Sequence, residues 1–196
     1  MPRQNSSVRY GSVAMTFHWL IAALILTNIG LAWYFGTLKG ADAIPPVQLH
    51  KSIGITVLIL TLARIGWRFT SRPPPLPATM KRWEIWAART SHFVFYLLML
   101  GLPLSGWAMT SASPLIKVHP ITLYGVVPWP AIPFPGASSD TLHDLRHTLS
   151  TTHELLGWIA YAAIAIHVAA ALKHQLIDRD DVLSRMIPFV RGRDAA

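Results

Sequence analysis

The sequence predicts an all-α integral membrane protein, a four-helix bundle, and three observations carry that prediction. The 196 residues are 52% hydrophobic and only 13% charged, a balance that soluble domains do not show. Mean hydropathy is +0.39. Four long apolar stretches recur along the chain, with basic residues gathered at their ends, as happens at the margins of membrane spans. The net charge of +8 therefore reads as topology and predicts no nucleic-acid partner, because no helix face collects the basic residues. Cysteine is absent, which excludes thiolate-ligated iron–sulfur clusters, haem attached through C-x-x-C-H, and disulfides. The whole chain, 1–196, reads as a single transmembrane domain surrounded by lipid.

The first span is expected at about 17–38. No Asp, Glu, Lys or Arg occurs for 29 residues between Arg9 and Lys39, enough for a bilayer that needs about 20 apolar residues. A cleaved signal peptide would be shorter and would not end in the aromatic cluster Trp33, Tyr34, Phe35. The second span, about 47–69, has a short charge-free centre, Ser52 to Ala63, which Lys51, Arg64 and Arg68 extend by snorkelling to the headgroups. The third, about 91–110, lies in a 27-residue charge-free stretch from Thr90 to Ile116. The fourth, about 153–176, has 18 uncharged residues between Glu154 and Lys173.

Four spans put both termini on one side, and the basic residues say which. Arg3, Arg9, Arg64, Arg68, Arg72, Lys81, Arg82, Arg89, Lys173, Arg179, Arg185, Arg191 and Arg193 fall on the terminal side, against Lys39, Lys51, Lys117 and Arg146 opposite. This bias predicts cytoplasmic termini. The connector Ser71 to Met80, SRPPPLPATM, reads as stiff and extended, followed by a short interfacial amphipathic stretch around Trp83 and Trp86. The outer loop, 111–152, carries six prolines with Tyr124, Trp129 and Phe134, a composition suited to folding back on the membrane surface.

Four histidines are hard to explain as lipid-facing residues: His18, His50, His153 and His167. Ionisable groups inside a membrane are costly and mark function, and imidazole is the commonest metal ligand. With cytoplasmic termini, His18 lies at the inner end of span one and His50 at the outer end of span two. His153 lies at the outer end of span four, and His167 comes fourteen residues later, about 21 Å deeper and within about 40° of the same helix face. Depth therefore pairs His18 with His167 and His50 with His153. Two ligands at each of two depths suit the axial positions of haem iron and not zinc, which wants four. Each ring has a small residue one turn later on its own face: Ala22, Gly54, Gly157 and Ala171. Such a gap leaves room for a flat macrocycle, with Gly54 and Gly157 as packing positions. His92 and His174 are followed there by Tyr96 and Asp178. His143, His147 and His153 could be read as a zinc cluster, but they fall in a polar loop with no fixed ligand set.

The motifs around these residues resemble those of the bacterial cytochrome b561 family, four-span membrane cytochromes with two haems. The matching pieces are T-F-H-W-L at Thr16 to Leu20, H-K-S-I-G at His50 to Gly54 with Arg64 following, and H-F-V-F-Y-L-L at His92 to Leu98. L-P-L-S-G at Leu102 to Gly106, H-E-L-L-G at His153 to Gly157, H-V-A-A-A-L-K-H at His167 to His174 and the tail Asp180 to Pro188 complete the set. The resemblance covers nearly the whole chain and is weakest in the outer loop.

The resemblance implies a bacterial inner-membrane oxidoreductase with two haem b groups, the inner ligated by His18 and His167 and the outer by His50 and His153. It also implies one-electron transfer across the bilayer, from superoxide or another small reductant outside to ubiquinone. Candidates for a quinone site near the inner haem are Thr16, Trp19 and His174. Lys39, Lys51, Lys117 and Arg146 would steer an anion or pair with haem carboxylates. Arg64 and Arg68 either hold inner carboxylates or mark the boundary, and His92 reads as a hydrogen-bonding neighbour. The alternative is a haem-bearing anchor subunit working with a redox protein partner. A haem-free transporter using the histidines as proton relays is the reading from another class.

Overall fold

The computed structural model describes residues 4–6, 9–77 and 80–188; Arg3, Arg191 and Arg193 of the charge count lie outside them. It is mostly helical. Its helices are α1 (Ser12–Gly36), α2 (Ile44–Thr70), α3 (Arg82–Ser111) and α4 (Ser139–Lys173), and each belongs to a segment long and apolar enough to cross a membrane.

Local chemistry sets the ends. Gly11 precedes α1 and donates its N–H to Asn5 Oδ1 at 2.8 Å. A 3-10 turn, Gly40–Ala43, leads into α2, which carries Pro45 and Pro46 in its first turn, where a missing N–H costs nothing. α3 opens with Glu84 accepting from the Lys81 N–H at 2.8 Å, half of a capping box. α4 opens with Ser138 Oγ accepting from the Thr141 N–H at 3.2 Å and Asp140 in its positive first turn. It ends in a π-helical turn, His174–Asp178, closed by Arg179 in the left-handed region, φ 55.

Two expected boundaries need correction. Residues 139–152 belong to α4, so the loop expected at 111–152 is shortened to 112–138. The stretch around Trp83 and Trp86 is the first turn of α3 and not a separate element. In both cases a capped polar or aromatic helix extends an apolar one, and hydropathy registers only the apolar part.

The chain divides into two compact units. The first comprises Met1–Leu20, Leu62–Leu97 and Ile159–Ala196; the second comprises Ile21–Thr61 and Leu98–Trp158. In the first, the segment after α4 is tied down by polar contacts. Trp19 Nε1 donates to Met186 O at 2.8 Å, Arg9 donates to Ile187 O, and Arg185 donates to Pro75 O at 2.9 Å. The buried Glu84 takes Lys173 Nζ at 2.7 Å.

In the second unit the loop folds back onto its own helices. Strands β1 (Thr122–Leu123) and β2 (Val127–Pro128) pair antiparallel through a turn with Tyr124 at φ 52 and Gly125 at φ 74. Tyr124 donates its N–H to the buried Ser52 Oγ at 3.0 Å, and its hydroxyl meets Thr56 Oγ1 at 2.7 Å. Trp107 Nε1 donates to Pro130 O at 2.9 Å, and the Ile132 N–H donates to Ser111 Oγ at 3.0 Å.

Candidate functional site

The four histidines meet as the two pairs that depth predicts. In the first unit the rings of His18, from α1, and His167, from α4, have centres 6.3 Å apart at an interplanar angle of 61°. In the second unit His50, from α2, and His153, also from α4, stand 6.3 Å apart at 73°. A metal bound on both sides by imidazole nitrogens at about 2.0 Å holds ring centres a little over 6 Å apart, because each nitrogen lies about 1.1 Å from its ring centre. Both pairs therefore have the spacing that one shared iron requires.

The hydrogen bonds of the second pair assign the remaining nitrogens. His50 Nδ1 lies 3.2 Å from the main-chain oxygen of Asn28. His153 Nδ1 lies 3.0 Å from Leu102 O and 3.0 Å from Ser105 Oγ. The Ser105 hydroxyl donates to Leu102 O at 2.9 Å, so its oxygen can only accept from the ring. Carbonyl oxygens likewise only accept. Nδ1 carries the proton in both rings, and Nε2 keeps the lone pair that a metal needs.

Small residues fit this arrangement. A Cβ on Gly106 would come within 3.2 Å of His153 Cε1 and 3.4 Å of its Nδ1, so the ring rests directly on the α3 backbone. At Gly157, one turn after His153, a Cβ would meet nothing within 4 Å, and at Gly54 only Asn28 Nδ2, at 3.9 Å. The space expected beside these two histidines is open. Aromatic edges close the rings in: Phe35 stands 5.3 Å from His50 and Phe95 5.2 Å from His167. Donor type and spacing in both pairs, together with ring orientation and open flanks at His50 and His153, fit a bis-histidine haem.

The other expected residues are engaged differently. His174 is buried and its Nδ1 lies 2.6 Å from Asp180 and 3.2 Å from Asp178, an aspartate that also holds Lys173. Trp19 spends its indole N–H on Met186, and Thr16 is exposed. Of the four outer-face cations, Lys51 and Arg146 line a cavity of about 250 Å³ with Gln48 and His119, whereas Lys39 and Lys117 are exposed outside it. His143 and His147 are exposed on α4, with His143 3.4 Å from Asp144. Among the described residues the group with metal-ligand spacing is His174, Asp178 and Asp180, and not the set His143, His147 and His153. Sequence reasoning missed Asn28, Leu102 and Ser105, which hold the rings. A polar Asn in mid-span and the Pro103, Ser105, Gly106 cluster inside a helix were the available signals.

Residues 9–189 match the model of the prokaryotic cytochrome b561 family. The chain is 33% identical to "Cytochrome b561 homolog 2" of Escherichia coli K12, over 93% of each chain. It is 29% identical to "Probable superoxide oxidase CybB" of Yersinia pestis, over 94% of this chain and 98% of that one. It is 27% identical to "Cytochrome b562" of Cereibacter sphaeroides, over 91% and 94% respectively.

Proposed function

Because the chain belongs to the prokaryotic cytochrome b561 family, and is thus a bacterial membrane haem protein of electron transfer, we propose that it holds two haems b and moves electrons singly between a small reductant and ubiquinone. The observation that carries this reading is the presence of two histidine pairs at the same 6.3 Å spacing. His18 and His167 would ligate one haem, and His50 and His153 the other. Bound haem iron supplies one-electron redox chemistry that imidazole alone cannot.

The protein's own residues do the rest. Asn28, Leu102 and Ser105 hold the His50 and His153 rings in the ligating tautomer. Lys51 and Arg146 give the cavity of that unit a positive wall, which favours an anionic reductant and speeds its arrival. Superoxide is such an anion, and similarity to the Yersinia protein supports it as the donor. The basic bias of the terminal side supports cytoplasmic termini and an outer position for the His50 and His153 pair. Thr16 and Trp19 are the nearest polar groups to His18 in sequence for a quinone on the other side.

The deciding experiment is a reduced-minus-oxidised spectrum of the purified protein and of its four single His→Ala variants, followed by superoxide and then ubiquinone. The reading expects two haems per chain, loss of the same haem in His18→Ala and His167→Ala, reduction by superoxide, and reoxidation by quinone. A single haem, or His18→Ala and His167→Ala acting on different haems, refutes the ligand assignment. Failure of superoxide to reduce the haems refutes that donor and favours a partner dehydrogenase.

A further inference from the structure

α2 carries an arginine in the register that α4 gives to a ligand. Arg64 follows His50 by fourteen residues on the continuous helix Ile44–Thr70, just as His167 follows His153 on Ser139–Lys173. That interval returns to within about 40° of the starting face, and Arg68 continues the row one turn on. Arg64 belongs to the same compact unit as His18, His92 and His167.

Among the described residues the two guanidinium groups stand together without a counter-charge. Their central carbons lie 5.8 and 5.9 Å from the centre of the Tyr96 ring. They line a narrow cavity with Asn5, Tyr10 and Ser71, and among the described residues no carboxylate contributes to its wall. Among the described residues neither guanidinium makes an ion pair or a hydrogen bond. The face of Tyr96 attracts each cation but carries no net charge, and arginine cannot shed its proton to relieve the repulsion. What completes such a pair is a group with two anionic arms, and guanidinium forks match carboxylates two bonds at a time.

We infer that Arg64 and Arg68 clamp the two carboxylate side chains of the haem held by His18 and His167, and that their charge raises the potential of its iron. The inference rests on the ligand assignment proposed above. Ferric iron carries one more positive charge than ferrous, so nearby fixed cations favour the reduced state.

The test is an optical redox titration of the purified holoprotein in detergent, comparing wild type with Arg64→Gln, Arg68→Gln and Arg64→Lys. Each Gln variant is expected to keep both haems while one wave, the one absent in His18→Ala, moves to lower potential. A tenfold change in the ratio of oxidised to reduced haem corresponds to about 59 mV for one electron. Arg64→Lys keeps the charge and is expected to retain most of the wild-type potential. If Arg64→Gln does not fold, Arg68→Gln and Arg64→Lys carry the comparison.

Unmoved waves in the Gln variants overturn the inference, as does movement of the wave that His50→Ala removes. Loss of co-purifying anionic phospholipid with both waves unmoved also overturns it and identifies a headgroup phosphate as the occupant. If His18→Ala removes no haem, the ligand assignment fails and takes the clamp with it, whereas unmoved waves defeat the clamp alone.

Discussion

Gly106→Ala tests the proposed ligand His153 without altering it. The added Cβ stands 3.2 Å from His153 Cε1 and 3.4 Å from Nδ1, inside the comfortable separation of about 3.5–4.0 Å between non-bonded heavy atoms. The ring has to retreat by a few tenths of an ångström. Its Nδ1 starts 3.0 Å from both Leu102 O and Ser105 Oγ, so the same retreat takes both contacts to the limit of about 3.2 Å for an ordinary N–H···O bond, or past it. Crowding costs about 1–3 kcal/mol, and the weakened bonds add about 1 kcal/mol. If about 2 kcal/mol of this falls on the bound state, the haem paired with His50 and His153 is held about thirtyfold more weakly. Haem content per chain and a redox titration read the effect: occupancy of one haem falls and its wave shifts, while the other wave stays in place. Wild-type occupancy and two unmoved waves in this variant would show that His153 does not ligate from the position it has against α3.

Gly157→Ala is expected to leave the polypeptide at least as stable, since its Cβ meets nothing within 4 Å and alanine is favoured over glycine in a helix by about 1 kcal/mol. It should nevertheless lower haem occupancy, and full occupancy would remove Gly157 from the packing role. Tyr124→Phe removes the hydroxyl contact with Thr56 and should cost about 1 kcal/mol, seen as faster proteolysis within residues 112–138; an unchanged cleavage rate would mean the hairpin is held by other contacts. Trp19→Phe deletes the donor to Met186 O, which should speed amide exchange around residues 183–187 by about fivefold for a 1 kcal/mol loss. If Trp19 also serves quinone, this variant should raise the quinone KM, and an unchanged KM would exclude it.

Much of this was legible in the sequence because hydropathy and position along a helix are one-dimensional quantities. The four apolar segments follow from the bilayer's demand for length, and the histidine pairs follow from their depth and face. The first turns of α3 and α4 were not legible from hydropathy, since they are stabilised by caps at Lys81 with Glu84 and at Ser138 with Thr141, which mean hydropathy does not register. The acceptors on His50 and His153 were hidden for a different reason. Asn28 and Leu102 act through main-chain oxygens, which every residue possesses, so side-chain identity could not single them out. Ser105 was readable only as part of a motif without an assigned role. The Arg64 register could have been counted from the sequence, but the lack of a counter-charge around it among the described residues is visible only in three dimensions.

The acceptors behind the His50 and His153 rings are neutral: two peptide oxygens and a hydroxyl. A carboxylate in the same place would pull on the Nδ1 proton and make the ring a stronger electron donor, stabilising the oxidised metal. With peptide acceptors the imidazoles stay neutral and donate less. An iron held there as proposed would thus be readier to accept an electron, through two main-chain oxygens of α1 and α3 and one serine hydroxyl.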